Sequence, residues 1–319
     1  MISGPTAAIY NLAGEVRLER GTGSDVVVEL TRGGRDAAKL EVRLRDGVLA
    51  VRYPDDEIVY RDERTWGSSS QLRVREDGSF GGAWDREGGR RVTVRTRGDG
   101  LEAHADLVVK VPAGKRVSLH HAVGRVRITE VDADLDIDLY SSSLDAAGTK
   151  GRLMVDAGSG SVRVENASGE LEVDTGSGST TIANSTFTRL MVDAGSGSVE
   201  ARDTRADRFS VDVGSGSVRA DGLTTDELEI DTGSGSVRVG LAAVPRRSVL
   251  DTGSGSVTLE LPANANAELD IETGSGGISS DFPITAETFQ RRELRGRIGN
   301  GGGLIRVSTG SGGVRLMRR

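Results

Sequence analysis

The chain has 319 residues, a formal net charge of -7, 3% aromatic residues, 45 glycines and no cysteine. Its interspersed, mildly acidic charge excludes a face-wide basic field of the kind that holds nucleic acid by its phosphates. The missing thiols exclude disulfides, thiolate metal sites and cysteine nucleophiles. No apolar run approaches the roughly 18 residues that span a bilayer. The first thirty residues hold no basic start followed by an apolar stretch, so no secretory signal is read and the expected location is cytoplasmic by default.

Residues 1–116 read as degenerate N-terminal coils. Residues 9–16 weakly fit the repeat described below, and residues 26–30, 40–44 and 107–111 alternate as strands do. Within this part, residues 54–92 are polar and glycine-rich and break the alternation. They carry both tryptophans, Trp66 and Trp84, with Asp55, Asp56, Glu57, Asp62 and Glu63 close by. The segment reads as a solvated excursion from the coils. Long loops of this kind carry binding surfaces, so Trp66 and Trp84 are the residues expected to meet a partner.

From 117 to 279 the chain is regular. The tripeptide Gly-Ser-Gly occurs eight times, mostly 18 to 21 residues apart, inside the frame apolar-Asp-x-Gly-Ser-Gly-Ser-Val, as in Val155-Asp156-Ala157-Gly158-Ser159-Gly160-Ser161-Val162. A repeat this short cannot bury its own apolar face and must stack on its neighbours. In residues 153–157 the odd positions are apolar and point inward, while Asp156 points out. The phase switches at the Gly-Ser corner, so each coil has at least two strands and two corners. Residues 119–126 and 137–144 are further copies. The expected fold is an all-β, single-domain β-solenoid over 1–319, right-handed, a short stiff rod of coils about 4.8 Å apart. Residues 280–319 read as a C-terminal coil and cap, which protects strand edges from self-pairing.

One outward position recurs as an acid: Asp138, Asp156, Asp174, Asp193, Asp212, Asp231, Asp251 and Glu272. Stacked carboxylates repel, so something must offset them. Two structural offsets are expected: hydrogen bonds from the N–H groups of the Gly-Ser corner, and arginines such as Arg127, Arg163, Arg219, Arg238 and Arg315 across the corner. A calcium ladder is the sharper alternative, but calcium β-rolls use Gly-Gly-x-Gly-x-Asp with a nine-residue period. A polar ladder for a glycan is a third reading, and the repeat lacks the aromatic platforms that such faces use. For catalysis the residues offer little. His104, His120 and His121 have no metal-ligand spacing, with His120 and His121 read as turn residues, and Gly-Ser-Gly is not a nucleophile elbow.

The order Val109-Lys110-Val111-Pro112-Ala113-Gly114, then the Gly-Ser-Gly coils, then Arg297-Ile298-Gly299-Asn300-Gly301-Gly302 before a last copy, resembles the bacterial putative-adhesin family of β-strand-repeat proteins, a domain of unknown function. The resemblance covers nearly the whole chain and implies a β-solenoid, a place at or near the cell envelope, and no catalytic residues. The combined expectation is a non-enzymatic structural or interaction protein without cofactor or metal. Its partner would be another protein or an envelope component, and coils of separate molecules could stack end to end. The alternative is a cation- or glycan-binding module using the acid column or the 54–92 excursion.

Overall fold

Period-two alternation produces strands throughout. In Leu153, Val155 and Ala157 the side chains are buried, while Asp156 between them is exposed. A computed structural model describes residues 1–61, 69–81 and 89–319. Among these the only helical element is one 3-10 turn, Ala37–Lys39. Two compact units divide the chain, Met1–Val162 and Arg163–Arg319.

In the first unit the strands are β1 (Thr6–Arg20), β2 (Val27–Gly33), β3 (Glu41–Arg45), β4 (Val48–Arg52), β5 (Glu57–Val59), β6 (Ser69–Val74), β7 (Arg90–Arg95), β8 (Leu101–Glu102), β9 (His104–Val111), β10 (Arg116–Thr129), β11 (Asp134–Ala147) and β12 (Lys150–Ser159). Strands β1, β10, β11 and β12 stack in parallel. Ile9, Leu119, Ile137 and Val155 lie in one register column, and all four are buried. Strand β1 is not an edge: its other side pairs in parallel with β4 and β9. Beyond these, β2 runs antiparallel to β9 and β3 antiparallel to β4. Residues 26–30 and 40–44 are therefore covering strands and not further coils. They close an edge that would otherwise offer free N–H and C=O groups.

The described part of 54–92 is not a solvated loop. Strands β5, β6, β7 and β8 form their own four-stranded sheet in the order β6-β7-β5-β8. Ile58, Val59, Leu72, Val74, Val92 and Val94 give it a buried apolar face. The residues 69–74, Ser-Ser-Gln-Leu-Arg-Val, alternate exposed and buried without exception.

The second unit contains β13 (Val162–Glu165, whose first residue belongs to the other unit), β14 (Ser168–Ser177), β15 (Thr180–Ala183), β16 (Thr186–Ser196), β17 (Val199–Arg202), β18 (Arg205–Ser215), β19 (Val218–Ser234), β20 (Val237–Leu241), β21 (Arg247–Ser254), β22 (Val257–Leu261), β23 (Ala267–Thr273), β24 (Ile278–Ser280), β25 (Ile284–Phe289), β26 (Glu293–Ile298), β27 (Gly303–Ser311) and β28 (Val314–Arg318). Each coil is a long strand, a corner and a short strand, paired in parallel with the coils on either side, so the fold is a β-solenoid. Leu171, Leu190, Phe209 and Leu228 stack as one buried column. Each such side chain contributes about 1.5–3 kcal/mol by leaving water.

The last coil does not follow its predecessor in space. Strand β27 lies between β21 and β23, pairing in parallel with both, and β28 likewise joins β22 and β24. The order becomes possible because β26 runs antiparallel along the far side of β23, with β25 antiparallel beyond it. A turn of left-handed glycines, Gly299 (φ 59°) and Gly301 (φ 78°), then redirects the chain. The Asn300 N–H donates to Asn266 Oδ1 at 2.9 Å and holds that turn.

Candidate functional site

Register fixes the acid column. In the second unit Asp174, Asp193, Asp212, Asp231 and Asp251 are direct partners on successive strands, all exposed. Because β27 is inserted, Ser308 follows Asp251, and Glu272 comes after it. A parallel column of serines, Ser177, Ser196, Ser215, Ser234 and Ser254, runs beside the acids.

Neither expected offset is present in this unit. Among the described residues these five aspartates accept no hydrogen bond and form no ion pair. Arg163 pairs with Glu165, and Arg238 with Glu260. At the later corners a threonine donates to the corner instead: Thr232 Oγ1 to the Gly235 carbonyl at 3.4 Å, Thr252 to the same carbonyl at 3.3 Å, and Thr309 to that of Gly312 at 2.9 Å. Thr175 Oγ1, by contrast, is buried without a hydrogen-bond partner, and Ala194 and Val213 take this place in two earlier coils. Partial burial pushes the Asp174 carboxyl above its usual range, followed by the charges of Asp193 and Glu172. The same holds for Asp231, through burial and then Asp212, Asp251 and Glu229. The neighbouring outward column behaves differently. It reads Glu170, Arg189, Arg208, Glu227, Arg247, and mixed signs allow Arg189–Glu170 at 3.5 Å within it, while Arg208 reaches Glu229 outside it at 3.2 Å. An unbroken run of like charge thus sets the aspartate column apart from this one, where only Arg189 and Arg208 are like neighbours.

In the first unit the corresponding outward position reads Tyr10, His120, Asp138, Asp156 on successive strands. Here the acid is compensated. His120 Nδ1 lies 2.9 Å from Asp138 Oδ2, and the imidazole stacks on Tyr10 with centroids 4.4 Å apart and 5° between planes. The turn after β6 closes over this group. Phe80, 1% exposed, sets its ring edge-on to Tyr10, His120 and Tyr140 at 5.7, 6.3 and 6.2 Å. Ser70 donates to Ser141 Oγ at 2.8 Å and adds a polar anchor. Phe80→Ala should free the turn, with limited proteolysis within residues 69–81 accelerating more than about tenfold.

His121 faces the other way. It is wholly buried, not a turn residue, with Nδ1 3.1 Å from the Asn11 carbonyl and Nε2 3.0 Å from that of Gly14. Tyr53 Oη donates to Asn11 Oδ1 at 2.9 Å, and Asn11 Nδ2 donates to the Ala105 carbonyl at 2.8 Å. Burial lowers the His121 pKa to about 4, outweighing two carbonyls that favour the protonated ring. The unfolded chain takes up this proton near pH 6.5 while the folded unit refuses it until about pH 4. Stability from this group is therefore present above pH 6.5 and lost as pH falls towards 4. The expected loss is about 3 kcal/mol, checked by urea unfolding across that range and by an NMR titration in which the His121 ring stays neutral at pH 5.5.

Trp66 and Trp84 lie outside the described residues. Among those described, no group of three or more His, Asp or Glu side chains is arranged to hold a metal ion, and no helix is long and apolar enough to cross a membrane.

No curated protein matches the chain. A solved protein from Clostridium sporogenes, described as a putative cell adhesion protein, is similar at 8% identity and a TM-score of 0.18, over 100% of this chain and 97% of that one. The model of the Toastrack family, DUF4097, matches residues 106–317, which take in the regular coils and the inserted last one. The chain belongs to the Toastrack DUF4097 family.

Proposed function

We propose that this protein is a non-enzymatic, adhesin-like structural or interaction protein, working through the repeated outer surface of its coils at the cell envelope. The observation that carries this reading is the aspartate column. Core packing demands regularity only inside the stack, yet the second unit repeats one acid in five successive coils on the outside, at about 4.8 Å spacing. Trp66 and Trp84 are the proposed contacts for a specific protein partner or envelope component.

Fractionation of the native cells, with protease shaving of intact cells and detection by antibody, tests the placement. Recovery in the envelope fraction with cleavage from outside is the expected result. A protein that stays soluble and protected would remove the adhesin-like reading and leave an interior scaffold. The second reading, a cation-binding module, is favoured by the uncompensated charge of Asp174 to Asp251. Calorimetry with Ca²⁺ separates the two: several ions bound per chain at micromolar affinity establish the module, and no saturable heat removes it.

A further inference from the structure

Four arginines gather at one place in the first unit. Arg43 on β3, Arg52 on β4, Arg75 after β6 and Arg90 on β7 line one half-open cavity of about 310 Å³, together with Tyr53 and Glu76. The four cations are not equally engaged. Arg52 pairs with Glu41 at 2.5 Å, while Arg90 pairs with Asp56 and also donates to the Tyr53 carbonyl. These partners fix two guanidinium groups in the cavity wall. Arg75 donates to the Ser79 hydroxyl at 3.2 Å, with the Asp77 charge nearby and no carboxylate within ion-pair distance among the described residues. Arg43 has neither a hydrogen bond nor an ion pair among them.

One small residue of the lining, Gly78, shapes the wall. Strand register sets Arg43 opposite Ala50, and the turn that carries Arg75 presses against the same place through Gly78. A side chain at Gly78 would begin 2.9 Å from Arg52 Cγ and 3.2 Å from Ala50 Cβ, so the wall tolerates no larger residue without moving. Gly78 has φ 93°, a left-handed conformation that suits glycine.

Guanidinium groups whose side chains line one cavity repel unless an anion lies between them. Their planar forks match carboxylate and phosphate oxygens in pairs, which an ammonium does not. We propose that this cavity binds an oxyanion, the phosphate or carboxylate group of a small ligand, with Arg43 and Arg75 as its forks and Arg52 and Arg90 as a positioned wall. The volume lies at the small end of the roughly 300–1,000 Å³ typical of ligand sites. That size suits one phosphate or one uronate ring.

The test is isothermal titration of the full chain with inorganic phosphate and, separately, with monomeric glucuronate at constant ionic strength. One saturable site per chain for at least one of them is expected. Arg43→Ala should weaken it about tenfold, and Arg43→Ala/Arg75→Ala further. Arg43→Lys, which keeps the charge without the fork, should restore only part of the loss. Arg43 is on an exposed strand, and circular dichroism confirms that each variant keeps its β content. Binding of phosphate alone assigns a phosphoryl ligand, of glucuronate alone a carboxylate ligand, and of both a site that reads the oxyanion only. No saturable heat with either, or binding that Arg43→Ala leaves unchanged, overturns the proposal.

Discussion

Replacing Gly216 by alanine is expected to destabilise the second unit by about 4 kcal/mol, read from the midpoint of urea unfolding. Two costs combine. Gly216 has φ 155°, within the region that side-chain-bearing residues rarely adopt. Holding alanine there costs about 1–3 kcal/mol. Its new Cβ would also overlap the Gly197 carbonyl oxygen of the coil before, and that oxygen belongs to backbone fixed by the next corner. Shifting it strains more than one coil, adding a further 1–3 kcal/mol. The first glycine of the tripeptide is needed for a different reason. Gly214 lies inside β18, and a Cβ there would come 2.7 Å from the Gly195 carbonyl oxygen. The corner itself turns at the second glycine and the serine after it. Gly277→Ala is the control, because nothing lies within 4 Å of its would-be Cβ. That variant should shift the midpoint by less than about 0.5 kcal/mol.

The stack was legible because its two signals are local. Alternation tells which residues face in, and the Gly-Ser-Gly spacing counts the coils. The order of the coils is not local. Residues 304–316 carry the same inward pattern as every other copy, so they fit any slot of matching register. Only the antiparallel pairing of β26 with β23 decides that they enter between Asp251 and Glu272. The four-stranded sheet, which begins within 54–92 and runs on to Glu102, is hard to read from sequence for a related reason. Its strands are short, and their alternation in residues 69–74 and 90–95 is interrupted by glycine- and charge-rich stretches that resemble a loop. The alternation of Ser-Ser-Gln-Leu-Arg-Val is the one local signal for the first of them. The partner of the corner is ambiguous in sequence because aspartate and threonine both commonly bond the backbone at turns. Where a bonded threonine follows the acid, as at Thr232 and Thr252, it holds the corner carbonyl, and in every coil of the second unit the aspartate is left facing solvent. Neither the buried Asn11–Tyr53–His121 network nor the arginine cavity follows from spacing, since each joins strands far apart in the chain.

Neutralising the column should stabilise the protein, contrary to the usual result of removing a native charge. Asp174, Asp193, Asp212, Asp231 and Asp251 replaced together by asparagine remove four like-charge contacts between adjacent coils. At strand spacing and a dielectric close to that of water, each contact costs about 1 kcal/mol. The expected gain is about 4 kcal/mol at pH 7 and low salt, and it should shrink at ~1 M salt, where screening reaches about 3 Å. Asparagine ladders can in addition bond along the stack. The pH dependence follows from the raised Asp174 and Asp231. Their folded values exceed the ordinary carboxylate value, so the native unit binds protons before the unfolded chain does. Stability from these groups rises as pH falls through that window and levels off below the ordinary value, near 4. The fivefold variant should lack this rise, while acid loss at His121 in the other unit continues unchanged. The measurement is urea unfolding of both proteins at pH 7 and pH 4.5, with hydrogen exchange assigning the change to the second unit. A loss of stability in the variant at pH 7 would mean that the carboxylates hold something in solution, and the charge-repulsion account would give way to a bound cation.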